Sequence, residues 1–311
     1  MPPDPVKLRI GIVGPGRLGQ ALGHLLYKLG QPVMAVAGRD LPGKPGGDLS
    51  RTSSAARFIG SNVRAVQISE IPTLCSHILI TVPDDALPSV ARSLAESLAG
   101  VPETVTAALH TSGARGPEAL APLQDRGISC GTLHPLQTIA NPEQGAADLP
   151  GSYFGITAEA EALGWAREIC RLLHGHPLTI PAERRPFYHA AAVMASNYIM
   201  AMIDAAVILF EQCGVSREDA LPALAPMIRS SVANTLASGP ERALTGPIER
   251  GDARTVESHL RALSNSAESV PESVRELYRY AGLHVAALAR RKSPGTDRRI
   301  IEELLRGEEQ P

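Results

Sequence analysis

The chain has 311 residues, more than one hydrophobic core usually supports, so we expect two domains. Hydrophobic residues make up 44% and charged residues 20%, which excludes disordered, collagen-like and coiled-coil chains. The 30 basic and 32 acidic side chains give a net charge of -2. A charge so close to zero favours neither a nucleic acid nor a membrane surface as partner.

The cysteines and the apolar segments predict a cytoplasmic location. The four cysteines are widely spaced and form no C-x-x-C pair, which predicts neither disulfides nor a metal site. The N-terminus lacks the basic segment of a secretory signal. The most apolar stretch, 190–210, contains Ser196, Asn197 and Asp204, so we interpret it as a buried helix rather than a membrane span.

Short β-branched runs alternate with helical stretches from Lys7 to about Pro181, which predicts a parallel sheet wound by helices. After Pro181 only helical stretches remain, separated by Gly and Pro. We predict an α/β domain over 1–181, an all-α domain over 182–293 and a tail over 294–311, with a peripheral or frayed helix. The eight predicted strands are 8–13, 33–37, 65–68, 78–82, 105–109, 128–133, 153–156 and 177–180.

The segment 186–213 is rich in Ala, Met and Ile and almost uncharged. A helix that is apolar around most of its circumference is surrounded by protein, either in its own domain or in a dimer. Such a helix carries more apolar surface than a small domain easily encloses. We therefore expect a homodimer that forms through the helical domain.

A glycine motif, Gly14-Pro15-Gly16-Arg17-Leu18-Gly19, lies between the first predicted strand and the following helix. There, Gly14 permits a tight turn, Gly16 lets the backbone approach a pyrophosphate, and Gly19 allows close packing of helix on strand. The motif therefore predicts a Rossmann-type dinucleotide-binding domain, the alternative being a plain glycine-rich turn. All six residues are predicted to bind the cofactor, with Arg17 as a further phosphate contact.

The second predicted strand ends in Gly38-Arg39-Asp40. The guanidinium of Arg39 suits the 2'-phosphate of NADP, whereas Asp40 is placed to bind the ribose hydroxyls of NAD. We predict NADP rather than NAD. Val82 and Pro83 end the fourth strand and are expected to line the cofactor.

Two histidines are predicted at strand ends on the same edge as the glycine loop. His110 begins the sequence His-Thr-Ser-Gly, and His134 begins His-Pro-Leu-Gln-Thr. An imidazole exchanges protons near neutral pH, as carbonyl or imine reduction requires. We predict His134 as the catalytic acid or base and His110 with Ser112 as positioning residues; the alternative is that each histidine caps a strand through the backbone.

Further polar residues are candidates for substrate binding. His189 and Asn197 fall on one face of the apolar helix and are predicted to line an interdomain cleft, whereas Asp204 is predicted to form a structural pair. Thr245 and Arg250 lie in an interhelical loop that either closes over an anionic substrate or forms a salt-bridged turn.

Five segments together resemble the Rossmann-like proteins whose C-terminal part is called domain of unknown function 2520. The resemblance covers about residues 6–292 and implies a relative of 6-phosphogluconate dehydrogenase, 3-hydroxyisobutyrate dehydrogenase and pyrroline-5-carboxylate reductase, with an NADP-binding domain and a helical dimerisation domain. The segments are Gly14–Gly19, His110–Gly113, Leu133–Thr138, Tyr188–Ala192 and Thr245–Ile248.

The wider resemblance also bears on the catalytic group. His134-Pro135 is similar to the catalytic His-Pro of prephenate dehydrogenases, whereas Val193 stands where the hydroxyacid dehydrogenases have a lysine. Our interpretation is an NADP-dependent oxidoreductase that acts on a small polar carbonyl, imine or hydroxy compound. The missing lysine favours the alternative, a catalytically silent dinucleotide-binding or redox-sensing protein.

Overall fold

The computed structural model describes residues 8–38, 49–99 and 105–307. The chain divides into two compact units, Met1–Ser196 and Asn197–Pro311. This break falls later in the chain than the boundary predicted after Pro181, because one helix beyond Pro181 packs with the sheet.

The first unit contains an eight-stranded sheet with the order β3-β2-β1-β4-β5-β6-β7-β8. All neighbouring strands are parallel except β6 and β7, which are antiparallel. This arrangement confirms the predicted α/β class and departs from a wholly parallel sheet at one pair. The strands are β1 Ile10–Val13, β2 Val33–Ala37, β3 Arg64–Val66, β4 His77–Ile80, β5 Ala107–His110, β6 Ser129–Pro135, β7 Tyr153–Ala158 and β8 His176–Thr179.

Helices cover both faces of this sheet. Alternate residues of a strand point to opposite faces, so Ile12 packs with Leu22 and Trp165 on one side while Val13 packs with Leu87 on the other. The helices of the first unit are α1 Arg17–Lys28, α2 Leu49–Ile59, α3 Ile71–Leu74, α4 Leu87–Ser97, α5 Ala121–Gln124, α6 Pro142–Asp148, α7 Ala160–Leu172 and α8 Arg185–Ala195, with 3-10 turns at Ile68–Glu70, Pro117–Leu120 and Ala182–Arg184.

The second unit is helical throughout the described residues, as predicted. Its helices are α9 Asn197–Glu211, α10 Arg217–Ser238, α11 Pro240–Ala243, α12 Pro247–Arg250, α13 Ala253–Asn265, α14 Glu272–Lys292 and α15 Arg299–Arg306. The helix predicted in the tail is present as α15. Its residues Ile301 and Leu305 are buried in one hydrophobic cluster with Val256 and Ala286, so the helix is packed rather than frayed.

The apolar segment 186–213 differs from the single buried helix that its composition predicts. The helix geometry breaks at Ser196, which separates α8 from α9. Within one chain the segment is largely exposed; for example, the side chain of Phe187 is 72% exposed. By length and composition alone, Ala182–Glu211 is the one stretch of the described chain that could cross a membrane. The composition of segment 186–213 shows that it is apolar, but it does not show whether the same chain or another molecule covers it.

Candidate functional site

The glycine loop follows β1 at the carboxyl edge of the sheet. Gly14 has φ +115°, a conformation that favours glycine, and its carbonyl accepts a hydrogen bond of 2.8 Å from the Thr81 hydroxyl. A Cβ on Gly19 would lie 2.2 Å from the Gly14 carbonyl oxygen, so α1 packs too closely for any side chain there. A Cβ on Gly16, in contrast, would meet no atom within 4 Å in the part of the chain that the structure describes. The three positions have the geometry that a pyrophosphate cradle requires.

The other residues predicted to bind the cofactor lie around this loop. The Pro15 carbonyl accepts from the Gln20 amide, and Leu18 packs on the sheet core. Arg17 donates to the Ala140 carbonyl at 3.1 Å, so its guanidinium already has a partner within the protein. Val82 and Pro83 follow β4, with Val82 half-buried and Pro83 exposed. Arg39 and Asp40, which bear on the choice of NADP or NAD, lie outside the described residues.

His110 is the last residue of β5 and is fully buried. Its Nδ1 accepts from the Ser112 backbone N–H at 3.2 Å, which leaves the ring proton on Nε2 to bond the Gly116 carbonyl at 2.9 Å. The Ser112 hydroxyl accepts from the Arg115 N–H. His110 and Ser112 thus hold the loop 110–116 together through backbone groups, as the alternative of a strand-end cap requires for His110, and the positioning role of the two residues stays a prediction.

His134 lies within β6 and not in a loop after it, because β6 continues to pair with the antiparallel strand β7 as far as Pro135. Thr132 and His134 point to the same face of the sheet, and Thr157 and Gly155 of β7 pair with them. Since Gly155 has no side chain, the face is open beside His134. A helix occupies this opening.

That helix is α8, which faces the two strands with residues spaced i, i+3 and i+4. The Arg185 guanidinium donates to the hydroxyls of Thr132 and Thr157, each at 2.9 Å, and to the Ser112 carbonyl at 2.6 Å. The Tyr188 hydroxyl lies 2.8 Å from His134 Nδ1. Arg185 therefore connects β6, β7 and the loop after β5, and it fixes the position of the helix that carries Tyr188 and His189.

The imidazoles of His134 and His189 converge on Gly113. Their ring centroids are 6.0 Å apart, and the rings are nearly perpendicular. A Cβ on Gly113 would lie 2.4 Å from His189 Nδ1 and 2.9 Å from His134 Nε2. His189 Nδ1 is buried and has no hydrogen-bond partner among the described residues. The absence of a side chain at Gly113 thus allows two imidazole nitrogens to approach the same short stretch of backbone.

This cluster carries a buried positive charge, to which no carboxylate of the described residues is bonded. Arg185 is 1% exposed and, within residues 8–38, 49–99 and 105–307, bonds only to neutral oxygens, while its Nε has no partner there. Burial lowers the pKa of His134 to about 4, and the nearby charges of His189 and Arg185 act in the same direction. Burial also lowers the pKa of His110 to about 4. Both rings are therefore neutral at pH 7 in the ligand-free protein, and the role of His134 as catalytic acid or base stays a prediction.

These pKa shifts predict acid sensitivity. In the unfolded chain both histidines take up protons near their ordinary pKa of 6.5, whereas in the folded chain they remain neutral down to about pH 4. Acid therefore favours unfolding, and we expect the free energy of unfolding, measured by urea denaturation, to fall between about pH 6.5 and pH 4. His134→Gln should make this decline shallower, because it removes one of the two buried imidazoles. A slope identical in wild type and His134→Gln would contradict the assignment.

The remaining predicted substrate residues belong to the second unit. Asn197 is the first residue of α9, and Thr245 and Arg250 are exposed around α12. Arg298 holds this loop by donating to the carbonyls of Ile248 and Glu249. The structural pair predicted for Asp204 is confirmed, since its carboxylate forms a salt bridge of 2.5 Å with Arg217. Substrate binding by Asn197, Thr245, Arg250 and His189 stays a prediction.

Sequence reasoning missed two of the central residues, Arg185 and Tyr188. Arg185 follows Arg184 and precedes an apolar run, a context typical of an exposed helix start. The available signal was the spacing of Arg185, Tyr188 and His189, which places three polar groups on one helical face. The hydroxyl partners of Arg185, Thr132 and Thr157, come together only when β6 and β7 are paired.

Comparison with known families agrees with this architecture. Residues 3–135 match the model of the Rossmann-like domain, and residues 152–285 match the model of the domain of unknown function DUF2520. The chain is a Rossmann-like protein with a DUF2520 domain. No curated protein matches it. The second family match begins at β7, so this DUF2520 domain includes the last two strands of the sheet as well as α8.

Several solved structures share the fold. A protein from Bacteroides fragilis has a TM-score of 0.69 at 20% identity, covering 90% of this chain and 98% of its own. Pyrroline carboxylate reductase from Plasmodium falciparum, solved with NADP bound, has a TM-score of 0.54 at 15% identity, covering 91% and 99%. A reductive aminase from Aspergillus terreus, in complex with NADPH and ethyl-5-oxohexanoate, has a TM-score of 0.60 at 20% identity, covering 96% and 99%.

Proposed function

We propose that this DUF2520 protein is an NADP-dependent oxidoreductase that acts on a small polar carbonyl, imine or hydroxy compound. The observation that carries the proposal is the placement of the open Gly16 backbone and the His134 imidazole at one edge of the sheet. β1, β4, β5 and β6 are parallel neighbours, so their carboxyl ends share that edge. Ligands of open α/β sheets bind at this edge.

The chain's own residues fit the cofactor. The backbone at Gly16 begins α1 and has room for a pyrophosphate, whose charge the helix N-terminus favours. When bound, NADPH would supply a hydride. The NADP and NADPH in the Plasmodium and Aspergillus enzymes, together with Arg39 in this sequence, favour NADP over NAD. His134 would bond the substrate oxygen or nitrogen, while His110 and Ser112 hold the neighbouring loop.

The substitution Gly16→Val tests the cofactor site without disturbing the fold. Gly16 has an extended backbone, φ -78° and ψ 179°, which valine adopts readily, and no atom of the described residues lies within 4 Å of the added Cβ. We expect the dissociation constant for NADPH, measured by calorimetry, to rise at least about tenfold, which corresponds to about 1.4 kcal/mol, because the side chain would occupy the pyrophosphate position. The melting temperature of the ligand-free protein should not change.

The matched control is Gly164→Val, at an exposed position of α7 with no neighbouring atom within 4 Å of the added Cβ. It should bind NADPH as tightly as the wild type does. In the same titrations, the wild type should bind NADPH more tightly than NADH. Equal affinity of Gly16→Val and wild type for NADPH would contradict the cofactor site, and equal affinity of the wild type for NADPH and NADH would contradict the choice of NADP.

A second candidate function is a silent dinucleotide-binding or redox-sensing protein. The observation that favours it is Val193 on α8, where the hydroxyacid dehydrogenases that the sequence resembles have a lysine. The two functions share the cofactor site and differ in turnover. Oxidation of NADPH by wild-type protein in the presence of a carbonyl or imine compound would exclude the silent alternative.

We also propose that the protein is a cytoplasmic homodimer. Helices α9 and α10 of the second unit expose large apolar side chains, and an apolar surface of this kind marks an interface with another molecule. The side chains are Ile199, Met200, Met202, Met227, Val232 and Leu236. A second copy of the chain carries the same surface and so forms a symmetric interface. The cytoplasmic location rests on the four free cysteines, three of which are buried.

Light scattering at micromolar concentration tests the dimer. The wild type should have the mass of two chains, and Leu236→Glu, at an 82% exposed site, should shift the equilibrium to monomer because it places a charge in the interface. The control is Ile300→Glu, at an exposed apolar residue on α15. A monomeric wild type, or equal dissociation of both variants, would count against the interface.

A further inference from the structure

The contact between Tyr188 and His134 indicates which ring nitrogen of His134 is bonded within the protein and which can face a substrate. The Tyr188 hydroxyl lies 2.8 Å from His134 Nδ1, and the two rings meet edge to face at 5.5 Å. A second contact, from the same hydroxyl to the His134 carbonyl, is 3.4 Å long. The short contact has the length of a good hydrogen bond and the long one does not.

The Tyr188 oxygen lies against the backbone of Gly155, which pairs with His134 across β6 and β7. A Cβ on Gly155 would lie 2.3 Å from that oxygen, so the ring reaches this position only because the residue is glycine. Burial raises the pKa of Tyr188 to about 12, which keeps the hydroxyl protonated. The hydroxyl has one proton to donate, and His134 Nδ1, at 2.8 Å, lies nearer to it than the His134 carbonyl, at 3.4 Å.

We propose that Tyr188 is a positioning residue that holds neutral His134 in the tautomer with its proton on Nε2, so that the ring presents an N–H donor to the substrate. The inference rests on the proposed function for the presence of a substrate, but the tautomer itself is a property of the free protein. Nε2 is the nitrogen that faces Gly113, next to the unpartnered Nδ1 of His189. A neutral imidazole in this tautomer polarises a substrate oxygen or nitrogen through a hydrogen bond and needs no protonation from solvent.

The titratable groups around the ring are consistent with a neutral histidine. Arg185 and His189 of α8 and His110 of β5 all disfavour a positive charge on His134 and lower its pKa. Asp84, in the loop after β4, is the acidic group that acts in the opposite direction. Burial is the largest effect and also disfavours the charged ring. His134 therefore remains a neutral hydrogen-bond donor near pH 7, and its capacity to donate does not change with pH in that range.

Nitrogen NMR of protein labelled with ¹⁵N-histidine tests this proposal on the free protein. The His134 signals, assigned by their loss in His134→Gln, should show a protonated, pyrrole-type Nε2 and an unprotonated, pyridine-type Nδ1 in the wild type. Tyr188→Phe keeps the ring and removes only the hydroxyl, so it should move the signals toward a mixture of both tautomers. If Tyr188→Phe does not fold, the tautomer of wild-type His134 still tests the proposal, because a proton on Nδ1 would contradict it.

The chain contains a matched control pair. His259 and Tyr278 of the second unit have the same geometry, with the hydroxyl 2.8 Å from Nδ1 and the rings edge to face at 5.9 Å. Tyr278→Phe should leave the His134 signals unchanged. A wild-type His134 with its proton on Nδ1, or signals that do not move in Tyr188→Phe, would overturn the proposal. Neither result affects the proposed function, which is tested by NADPH binding and turnover.

Discussion

Turnover should fall by about 10²–10⁴ in His134→Ala, the loss typical when a positioned acid, base or donor is removed. The dissociation constant for NADPH should change little, because the glycine loop follows β1 and His134 lies in β6, three strands away in the sheet order. Steady-state kinetics of NADPH oxidation and calorimetry of NADPH binding check the two halves of this expectation.

His189→Ala is the informative comparison. His189 approaches Gly113 from the helix α8 and not from the sheet, and we expect its loss to raise KM more than it lowers kcat. If His134→Ala retains wild-type turnover, His134 is a structural residue of the strand. If it loses NADPH binding together with activity, the change has disturbed the cofactor site, and the catalytic assignment fails.

Gly113→Ala should lower activity nearly as much as His134→Ala does, although it adds only a single methyl group. The new Cβ would lie 2.4 Å from His189 Nδ1 and 2.9 Å from His134 Nε2, well inside van der Waals contact, so at least one imidazole would have to move. Displacement of a catalytic group by about 1 Å costs on the order of 10²-fold in rate. We expect a loss of that order in kcat/KM, measured by steady-state kinetics.

The control for this change is Gly164→Ala, which adds the same methyl group on the exposed side of α7, with nothing within 4 Å. It should have wild-type activity. Wild-type kcat/KM in Gly113→Ala would show that the convergence of the two imidazoles on Gly113 has no part in the reaction.

The sequence predicts the sheet well, because its strands are short apolar runs with clear boundaries. All eight predicted strands are present, and β2 has the predicted bounds, 33–37. The antiparallel pairing of β7 with β6 could not be predicted, since strand direction is set by the connection through α6 and leaves no mark in the residue pattern. That pairing places His134 inside a strand and Gly155 beside it.

The site was predictable only in part, for a similar reason. The glycine loop and the histidines could be placed from the sequence, because the strands that precede them are visible as apolar runs next to them in the chain. Arg185 and Tyr188 depend on partners 28 to 73 residues away along the chain, at positions 112, 132, 134 and 157. The neutral state of His134 likewise depends on burial and on Arg185 of α8, neither of which the residues next to His134 in the sequence indicate.

The most direct test of the proposed function is consumption of NADPH, followed by its absorbance, across a panel of small carbonyl and imine compounds with and without carboxylates. The wild type should oxidise NADPH with at least one class of these compounds, and His134→Ala should do so about 10²–10⁴ times more slowly while binding NADPH equally well. Tight binding of NADPH by the wild type, with no oxidation by any compound and no reduction of NADP by the corresponding hydroxy and amino compounds, would contradict the account and leave the silent dinucleotide-binding protein.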